Sequence, residues 1–259
     1  MLGTIIGDIA GAQYNGAPVK TKFNFRPESR FTGNTVLTIA VAEWITEAFR
    51  KPVYTAKQPD FDLERLAATF TKWHGRYPDK PCGGDDDGAA LRVSPAGFIA
   101  DDEVMAFALA DMTARITHED DESIKRAKAV AYCIHKCRCA KGLSKEDRKH
   151  FLASLLADVK RRFGYGIEPA GRIKSGQACI DTDRNAISAA ISCLVVSNGF
   201  KDAIRHAVTL GDDTNTLVPL AGGMAEAVWG IPPGLKWKAM MTLPGDIRLI
   251  MKEFYRYST

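Results

Sequence analysis

Apolar residues recur at the spacing of an α-helix in nearly every patterned part of this 259-residue chain. The stripe from Leu37 to Ala48 is one example, because its apolar residues lie three or four positions apart. No alternating run bounded by Asn-Gly or Asp-Gly turns indicates a strand. The period predicts helices at 37–48, 61–73, 102–115, 122–140, 145–163, 183–196, 200–209, 214–229 and 245–257.

The helix predicted over 183–196 is apolar on nearly all sides, which is typical of a helix in the middle of a bundle. The sequence has no long Gly/Ser/Pro linker and no repeat period that would divide the chain. We therefore expect residues 1–259 to form a single all-α domain of about ten helices.

Composition argues against two classes of partner. The net charge of +4 comes without clustered basic residues and interleaved aromatics, so the chain has no nucleic-acid footprint. The first twelve residues lack a basic n-region and include Asp8, and no window approaches the roughly 18 apolar residues of a membrane span. Six cysteines without a secretory signal indicate reduced thiols, so we expect a cytoplasmic protein with no membrane partner.

Four potential zinc ligands lie inside one predicted helix, at Cys133, His135, Cys137 and Cys139. Ligands two positions apart on a helix point in different directions, which does not suit a tetrahedral site. We interpret these cysteines as buried packing residues.

The stretch from 210 to 230, LGDDTNTLVPLAGGMAEAVWG, places polar residues directly before an amphipathic helix. Asp213 or Thr214 is a natural N-cap, so Asp213, Asn215 and Thr216 would cluster around the first turn. Oxygens at a helix start can hold a hard cation, whereas the backbone N–H groups there favour an anion such as phosphate. An ordinary capped helix start is the alternative, and this stretch alone leaves both open.

Three segments break the helical period, at 16–35, 78–95 and 117–122. They carry glycine and acidic residues, and we expect them to be loops. In a helical domain such loops are either binding loops or plain surface.

Five short motifs lie in order along almost the whole chain. They are Gly3-x3-Gly7-Asp8-x2-Gly11, FTGNTVLT at 31–38, GAALRVSP at 88–95, Thr117-His118, and GDDTNT at 211–216 with AG and AEA following by 227. Together they resemble the ADP-ribosylglycohydrolase family, which includes the dinitrogenase reductase-activating glycohydrolase. The resemblance implies an all-α orthogonal helical bundle of that type, as a single domain over residues 1–259.

The resemblance also implies an activity, namely hydrolysis of the glycosidic bond between ADP-ribose and a target. The implied partners are ADP-ribose or an ADP-ribosylated protein or small molecule. Family members use two divalent cations, usually magnesium or manganese, held by Thr-Asp-Asp and Asp-x-Asp-Thr motifs with help from a first-loop glutamate. Two hard cations need several carboxylates, and together they can orient a water or the ribose hydroxyls.

This sequence departs from the family at those carboxylates. Uncharged residues stand at four of the positions: Asn15 for the glutamate, Gly33 and Asn34 for the Asp-Asp pair, and Asn215 for the last aspartate. Each lost carboxylate forfeits on the order of several kcal/mol of attraction for a divalent ion. We therefore expect no metal, or at most one weakly bound magnesium or manganese ion.

The remaining candidates for that weak metal site are few: Thr32, Asp213, Asn215 and Thr216. By resemblance, Asp213 keeps the family's charge and is the catalytic candidate, with Asp212 as an extra acidic neighbour. The acidic run 85–87 could compensate by folding inward, but adjacent acids in a glycine loop are typical of solvated surface.

Helix N-termini and cationic side chains can hold the diphosphate of ADP-ribose without a metal. Arg92 and His118 are the candidates, and the alternatives are a surface arginine and a helix-cap histidine. The remaining predicted ligand-binding residues follow from the family motifs: Asp87, Gly88, Ala89, Asp181, Asn15, Gly33 and Asn34.

Three hypotheses of function stay open. The first is a hydrolase of an ADP-ribosyl N- or O-glycosidic bond, in which Asp213 or Asp212 acts on a water or a ribose hydroxyl. The second is a catalytically inactive ADP-ribose-binding or regulatory protein, which the carboxylate count favours. The third is a structural helical protein without a ligand, since a fold does not fix a function.

Overall fold

A computed structural model describes residues 1–14, 29–50, 59–80, 88–166, 173, 182–210 and 213–258, with only the backbone of 182–185. These ranges contain helices and no strand. Within them, no helix has the combined length and hydropathy that a bilayer crossing requires. The helices are α1 (Leu2–Tyr14), α2 (Gly33–Arg50), α3 (Leu63–Arg76), α4 (Gly88–Arg92), α5 (Ser94–Ile99), α6 (Glu103–Arg115), α7 (Asp121–Arg138), α8 (Lys145–Phe163), α9 (Thr182–Val196), α10 (Phe200–Leu210), α11 (Thr214–Trp229), α12 (Pro233–Thr242) and α13 (Gly245–Phe254).

The helices predicted from the apolar period are all present, with ends that agree to within about one helical turn. The predicted loop at 78–95 was wrong in its second half, because α4 and α5 begin at Gly88 and Ser94. Every residue of these two short helices is buried, so they show no polar face and no amphipathic period. Pro95 at the start of α5 suits a helix N-terminus, where its missing N–H costs nothing.

α11 is a central helix of the fold. It contacts α1, α4, α7, α9 and α10, and nearly all of its residues are buried. α9 lies beside it and also contacts α8 and α10, with its residues from Ala186 to Leu194 buried. The prediction of a central helix at 183–196 is therefore confirmed.

The contact between α1 and α11 depends on a glycine at each turn of α1. A Cβ placed on Gly3, Gly7 or Gly11 would lie only 2.2, 2.4 or 2.3 Å from a backbone carbonyl oxygen of α11. In the same order, those carbonyls belong to Gly222, Val218 and Thr214. The reversed order makes the two helices antiparallel. The last turn of α1 therefore lies beside the first turn of α11.

Candidate functional site

Two helix starts are anchored to α1, one at its middle and one in its C-terminal half. The start of α2 is held by Asp8, which lies in the middle of α1. The start of α11 is held by the Thr214 hydroxyl, which donates a 2.9 Å hydrogen bond to the carbonyl oxygen of Gly11. We refer to the partly exposed polar residues of these two starts, Thr32, Asn34, Asp213 and Asn215, as the helix-start group.

Asp8 supplies a buried carboxylate to the first turn of α2. Its Oδ2 accepts hydrogen bonds from the Thr32 backbone N–H at 2.8 Å and from the Thr35 hydroxyl at 2.6 Å. Its Oδ1 accepts one from the Thr32 hydroxyl at 2.6 Å. Burial raises the pKa of Asp8, and the hydrogen bonds from Thr32 and Thr35 act in the opposite direction. A negative charge on Asp8 is favoured by the N-terminus of α2, where the helix dipole stabilises an anion.

The interpretation of the sequence gave Asp8 no role in the site. A signal was present, since an aspartate surrounded by apolar helix residues is costly to bury without partners. Its partners are 24 and 27 positions away in sequence, so no local pattern could identify them. The structure shows that Asp8 joins α1 to the start of α2.

The predicted cap of α11 is confirmed. Asp213 is the N-cap, and its Oδ1 accepts a hydrogen bond from the Thr216 backbone N–H at 3.2 Å. Its backbone carbonyl accepts from the Leu217 N–H at 3.0 Å. Within the described residues, the buried Oδ1 of Asn215 has no hydrogen-bond partner. The first turn of α11 therefore presents oxygens that can accept hydrogen bonds.

The donor set of the helix-start group does not fit a two-cation centre. Asp213 is its one carboxylate among the described residues, Asn34 and Asn215 offer neutral amides, and Gly33 has no side chain to offer. The Thr32 hydroxyl already donates its proton to Asp8. No cluster of three or more His, Cys, Asp or Glu side chains suited to a metal occurs in the described ranges. Two divalent ions require more negative charge than this.

Four of the predicted site residues lie outside the described residues: Asn15, Asp87, Asp181 and Asp212. Their roles stay predictions. Gly88 and Ala89 are described, and both are buried at the start of α4, which packs against α2 and α7.

Arg92 is buried rather than on the surface, with only 2% of its area exposed. Its guanidinium donates to the carbonyl oxygen of Thr113 at 3.1 Å and to the hydroxyl of Thr117. The ring of Phe70 lies 5.2 Å from its Cζ atom. Arg92 thus connects α4 with α3 and the end of α6. Its predicted contact with a diphosphate stays a prediction.

His118 is linked to Arg92 through Thr117. The His118 Nδ1 lies 2.7 Å from the same hydroxyl that accepts from Arg92. The alternative of a helix cap was wrong for His118, because the N-cap of α7 is Asp120, whose Oδ1 accepts from the Ser123 N–H at 2.7 Å. The structure therefore brings the two predicted diphosphate candidates together.

Two of the cysteines on α7 are packing residues. Cys133 and Cys137 are fully buried, and burial raises the pKa of both thiols. Metal binding requires the thiolate, which this environment disfavours. Their neighbour His135 places its Nδ1 3.1 Å from the carbonyl oxygen of Ala100.

A cavity of about 550 Å³ lies at the opposite end of the α1–α11 pair. Leu2 and Glu226 line it, whereas the helix-start group lies at the other ends of these helices. Arg138, another lining residue, donates to the carbonyl oxygen of Ala100 at 2.7 Å. Arg138 lies at the C-terminus of α7, where a basic residue complements the helix dipole. Because the cavity is remote from the helix-start group, we do not assign it to the candidate site.

Comparison with known proteins gives three findings. A family model described as ADP-ribosylglycohydrolase matches residues 1–257. ADP-ribosylarginine hydrolase Tri1 of Pseudomonas putida (strain GB-1) is 24% identical over 193 residues, which cover 71% of this chain and 48% of that protein. The chain thus spans about half the length of this relative. A solved structure, an ADP-ribosylglycohydrolase-related protein complex, has the same fold, with a TM-score of 0.66 at 21% identity over 100% of this chain and 96% of that chain.

Proposed function

Because this chain belongs to the ADP-ribosylglycohydrolase family, we propose that it binds an ADP-ribosyl group and hydrolyses its N- or O-glycosidic bond. One observation supports a location for this reaction in the molecule. The starts of α2 and α11, where the family motifs fall, are both fixed to α1 by side-chain hydrogen bonds. We propose that the helix-start group lines one cleft, which we call the α1 cleft, and that the ADP-ribosyl group binds there.

Asp213 is the proposed general base. Its Oδ1 is engaged in the cap of α11, whereas its Oδ2 has no hydrogen bond among the described residues. Oδ2 is therefore available to accept a proton from a water that attacks the anomeric carbon. The water oxygen forms the new bond to the anomeric carbon, the bond to the target nitrogen or oxygen breaks, and the proton that Asp213 accepted passes to the target as it leaves. Asp212, adjacent in sequence, is the proposed alternative to Asp213 in acting on a water or a ribose hydroxyl.

We propose that this reaction uses no divalent cation, or one weakly bound magnesium or manganese ion. The family is generally metal-dependent, but a single described carboxylate supports less binding than a two-cation centre needs. The proposed substrate is an ADP-ribosylated protein or small molecule. A cytoplasmic location is supported by free thiols at Cys133, Cys137, Cys139 and Cys193.

A second candidate function is binding of ADP-ribose without hydrolysis. The specific observation that favours it is the uncharged chemistry of Gly33, Asn34 and Asn215. A further acid nearby, Asp8, is occupied by hydrogen bonds to Thr32 and Thr35. Such a protein would recognise ADP-ribosylated partners and leave them intact.

One pair of assays distinguishes the two candidates. ADP-ribosylated arginine, ADP-ribosylated serine and a small-molecule conjugate are incubated with the protein, and released ADP-ribose is quantified. Calorimetry with free ADP-ribose is run in parallel. Release together with binding supports hydrolysis, and binding without release supports the second candidate. Neither release nor binding would contradict both.

A further inference from the structure

Two of the three hydrogen-bonding positions of the Thr32 hydroxyl are already occupied. A threonine hydroxyl carries one proton and two acceptor lone pairs. In this structure the proton points to Asp8 Oδ1 at 2.6 Å, and one lone pair accepts the Asn34 backbone N–H at 3.2 Å. The other lone pair has no partner among the described residues, and Thr32 is only partly buried. The side of the hydroxyl that is open to a ligand is therefore an acceptor.

The direction of the Asp8–Thr32 hydrogen bond follows from the other donors. Oδ2 of Asp8 already receives the Thr32 N–H, which can only donate, and the Thr35 hydroxyl. An ionised carboxylate accepts at both oxygens, and its charge suits the N-terminus of α2. Burial raises the pKa of Asp8 and these donors act against it; with Asp8 in the carboxylate form, the Thr32 proton points toward Oδ1.

We propose that Asp8 is a positioning residue that turns the Thr32 proton inward and so presents the Thr32 oxygen to the α1 cleft as an acceptor. The inference rests on the proposed function for the identity of the ligand, an ADP-ribosyl group. It predicts that a hydrogen-bond donor of that ligand, such as a hydroxyl, meets Thr32. A phosphate oxygen cannot, because it has no proton to donate to Thr32 and would lie close to the carboxylate of Asp8.

Two other oxygens of the helix-start group have the same polarity. Asn215 Oδ1 and Asp213 Oδ2 are acceptors with no hydrogen bond among the described residues. An acceptor at Thr32 therefore agrees with the rest of the group. A Thr32 proton pointing outward would be the exception to it.

The test uses three single substitutions. Asp8→Asn reverses the bond, because the oxygen of the new amide must face the Thr32 N–H, which leaves the amide nitrogen to donate to the Thr32 hydroxyl. Thr32→Val removes the acceptor itself. Thr35→Val is the matched control, since it makes the same side-chain change and also removes a hydrogen bond to Asp8. Thr35 is 1% exposed and has no surface to offer a ligand.

Affinity for ADP-ribose is measured by calorimetry in EDTA. Thr32→Val and Asp8→Asn are each expected to weaken binding about tenfold, the usual effect of one hydrogen bond. The double variant is expected to bind no more weakly than either single variant. Thr35→Val is expected to stay within about twofold of the wild type. Equal losses in Thr35→Val and Thr32→Val, or additive losses in the double variant, would overturn the inference.

A second measurement needs no ligand. In the NMR spectrum of the labelled wild-type protein, the Thr32 hydroxyl proton is expected to exchange slowly with water and to couple to Thr32 Cβ. Thr35→Val should keep this signal, and Asp8→Asn should lose it. A rapidly exchanging Thr32 hydroxyl in the wild type would overturn the inference. If ADP-ribose fails to bind while the signal is present, the proposed function fails and the orienting role of Asp8 is still supported.

Discussion

The side chain of Asp213 serves two purposes that substitution can separate. As the N-cap of α11 it needs an oxygen that accepts from the Thr216 N–H, and asparagine supplies one as well as aspartate does. As a general base it needs a carboxylate, which asparagine lacks. The two requirements therefore predict different results for Asp213→Asn and Asp213→Ala.

Asp213→Asn is expected to leave the free energy of unfolding unchanged and to lower ADP-ribose release by about 10²–10⁴-fold, the usual contribution of a general base. Asp213→Ala is expected to lose the same activity and, in addition, about 1 kcal/mol of stability. Urea unfolding and the release assay provide the two readouts. Full activity in Asp213→Asn would exclude Asp213 as the base.

We predict that charge at four positions decides metal binding. The combined variant Asn15→Glu, Gly33→Asp, Asn34→Asp and Asn215→Asp is expected to create a cation site, because it supplies carboxylates at the four positions where the family motifs carry them. A magnesium concentration 100 times the dissociation constant would then stabilise the protein by about 2.7 kcal/mol. Thermal unfolding with and without magnesium measures this.

The charge control for this combined variant is Gly75→Asp with Asn198→Asp. It places acids at exposed positions away from the starts of α2 and α11. The control is expected to show no stabilisation by magnesium. An equal response in the control, or none in the combined variant, would contradict the charge argument.

Among the helices, α1 and α11 form the contact that positions the candidate site. Their backbones approach so closely that a Cβ on Gly7 would lie 2.4 Å from the carbonyl oxygen of Val218 and 2.5 Å from the Cα of Pro219. Both are backbone atoms that no side-chain rotation can move away.

Gly7→Ala is expected to lower the free energy of unfolding by at least about 1–3 kcal/mol, the usual cost of overpacking. Gly75→Ala is the matched control, because Gly75 lies in α3 and a Cβ there meets nothing within 4 Å. The control is expected to gain up to about 1 kcal/mol from the higher helix propensity of alanine. Chemical denaturation measures both, and an unchanged midpoint for Gly7→Ala would contradict the close packing.

Most of the longer helices could be predicted from the sequence because they repeat the apolar period, although α12 was not among them. α3 is an example of this period, with Leu66, Phe70 and Trp73 buried and most of its other residues exposed. α4 and α5 are buried on every side, so only long-range packing defines them and the period could not. In the site, the Asp213 cap was predictable because its partner is three residues away. The role of Asp8 was not, because its partners lie on another helix.

The whole molecule is predicted to unfold as one unit. Its buried apolar residues belong to one core that includes parts of every helix from α1 to α13, and such a core favours a cooperative transition. Two of its four tryptophans, Trp44 and Trp73, are buried in α2 and α3, and Trp229 ends α11, so fluorescence reports on distant regions. Urea transitions followed by fluorescence and by far-UV circular dichroism are expected to coincide. Separate midpoints would indicate two domains.

The central claim is that the α1 cleft still binds an ADP-ribosyl group although the acids for two cations are replaced. The most direct test is a calorimetric titration of the wild-type protein with ADP-ribose, once in EDTA and once in excess magnesium. We predict that ADP-ribose binds in both buffers, with dissociation constants that agree within about twofold. Binding that requires magnesium, together with two tightly bound magnesium ions per chain, would contradict the claim.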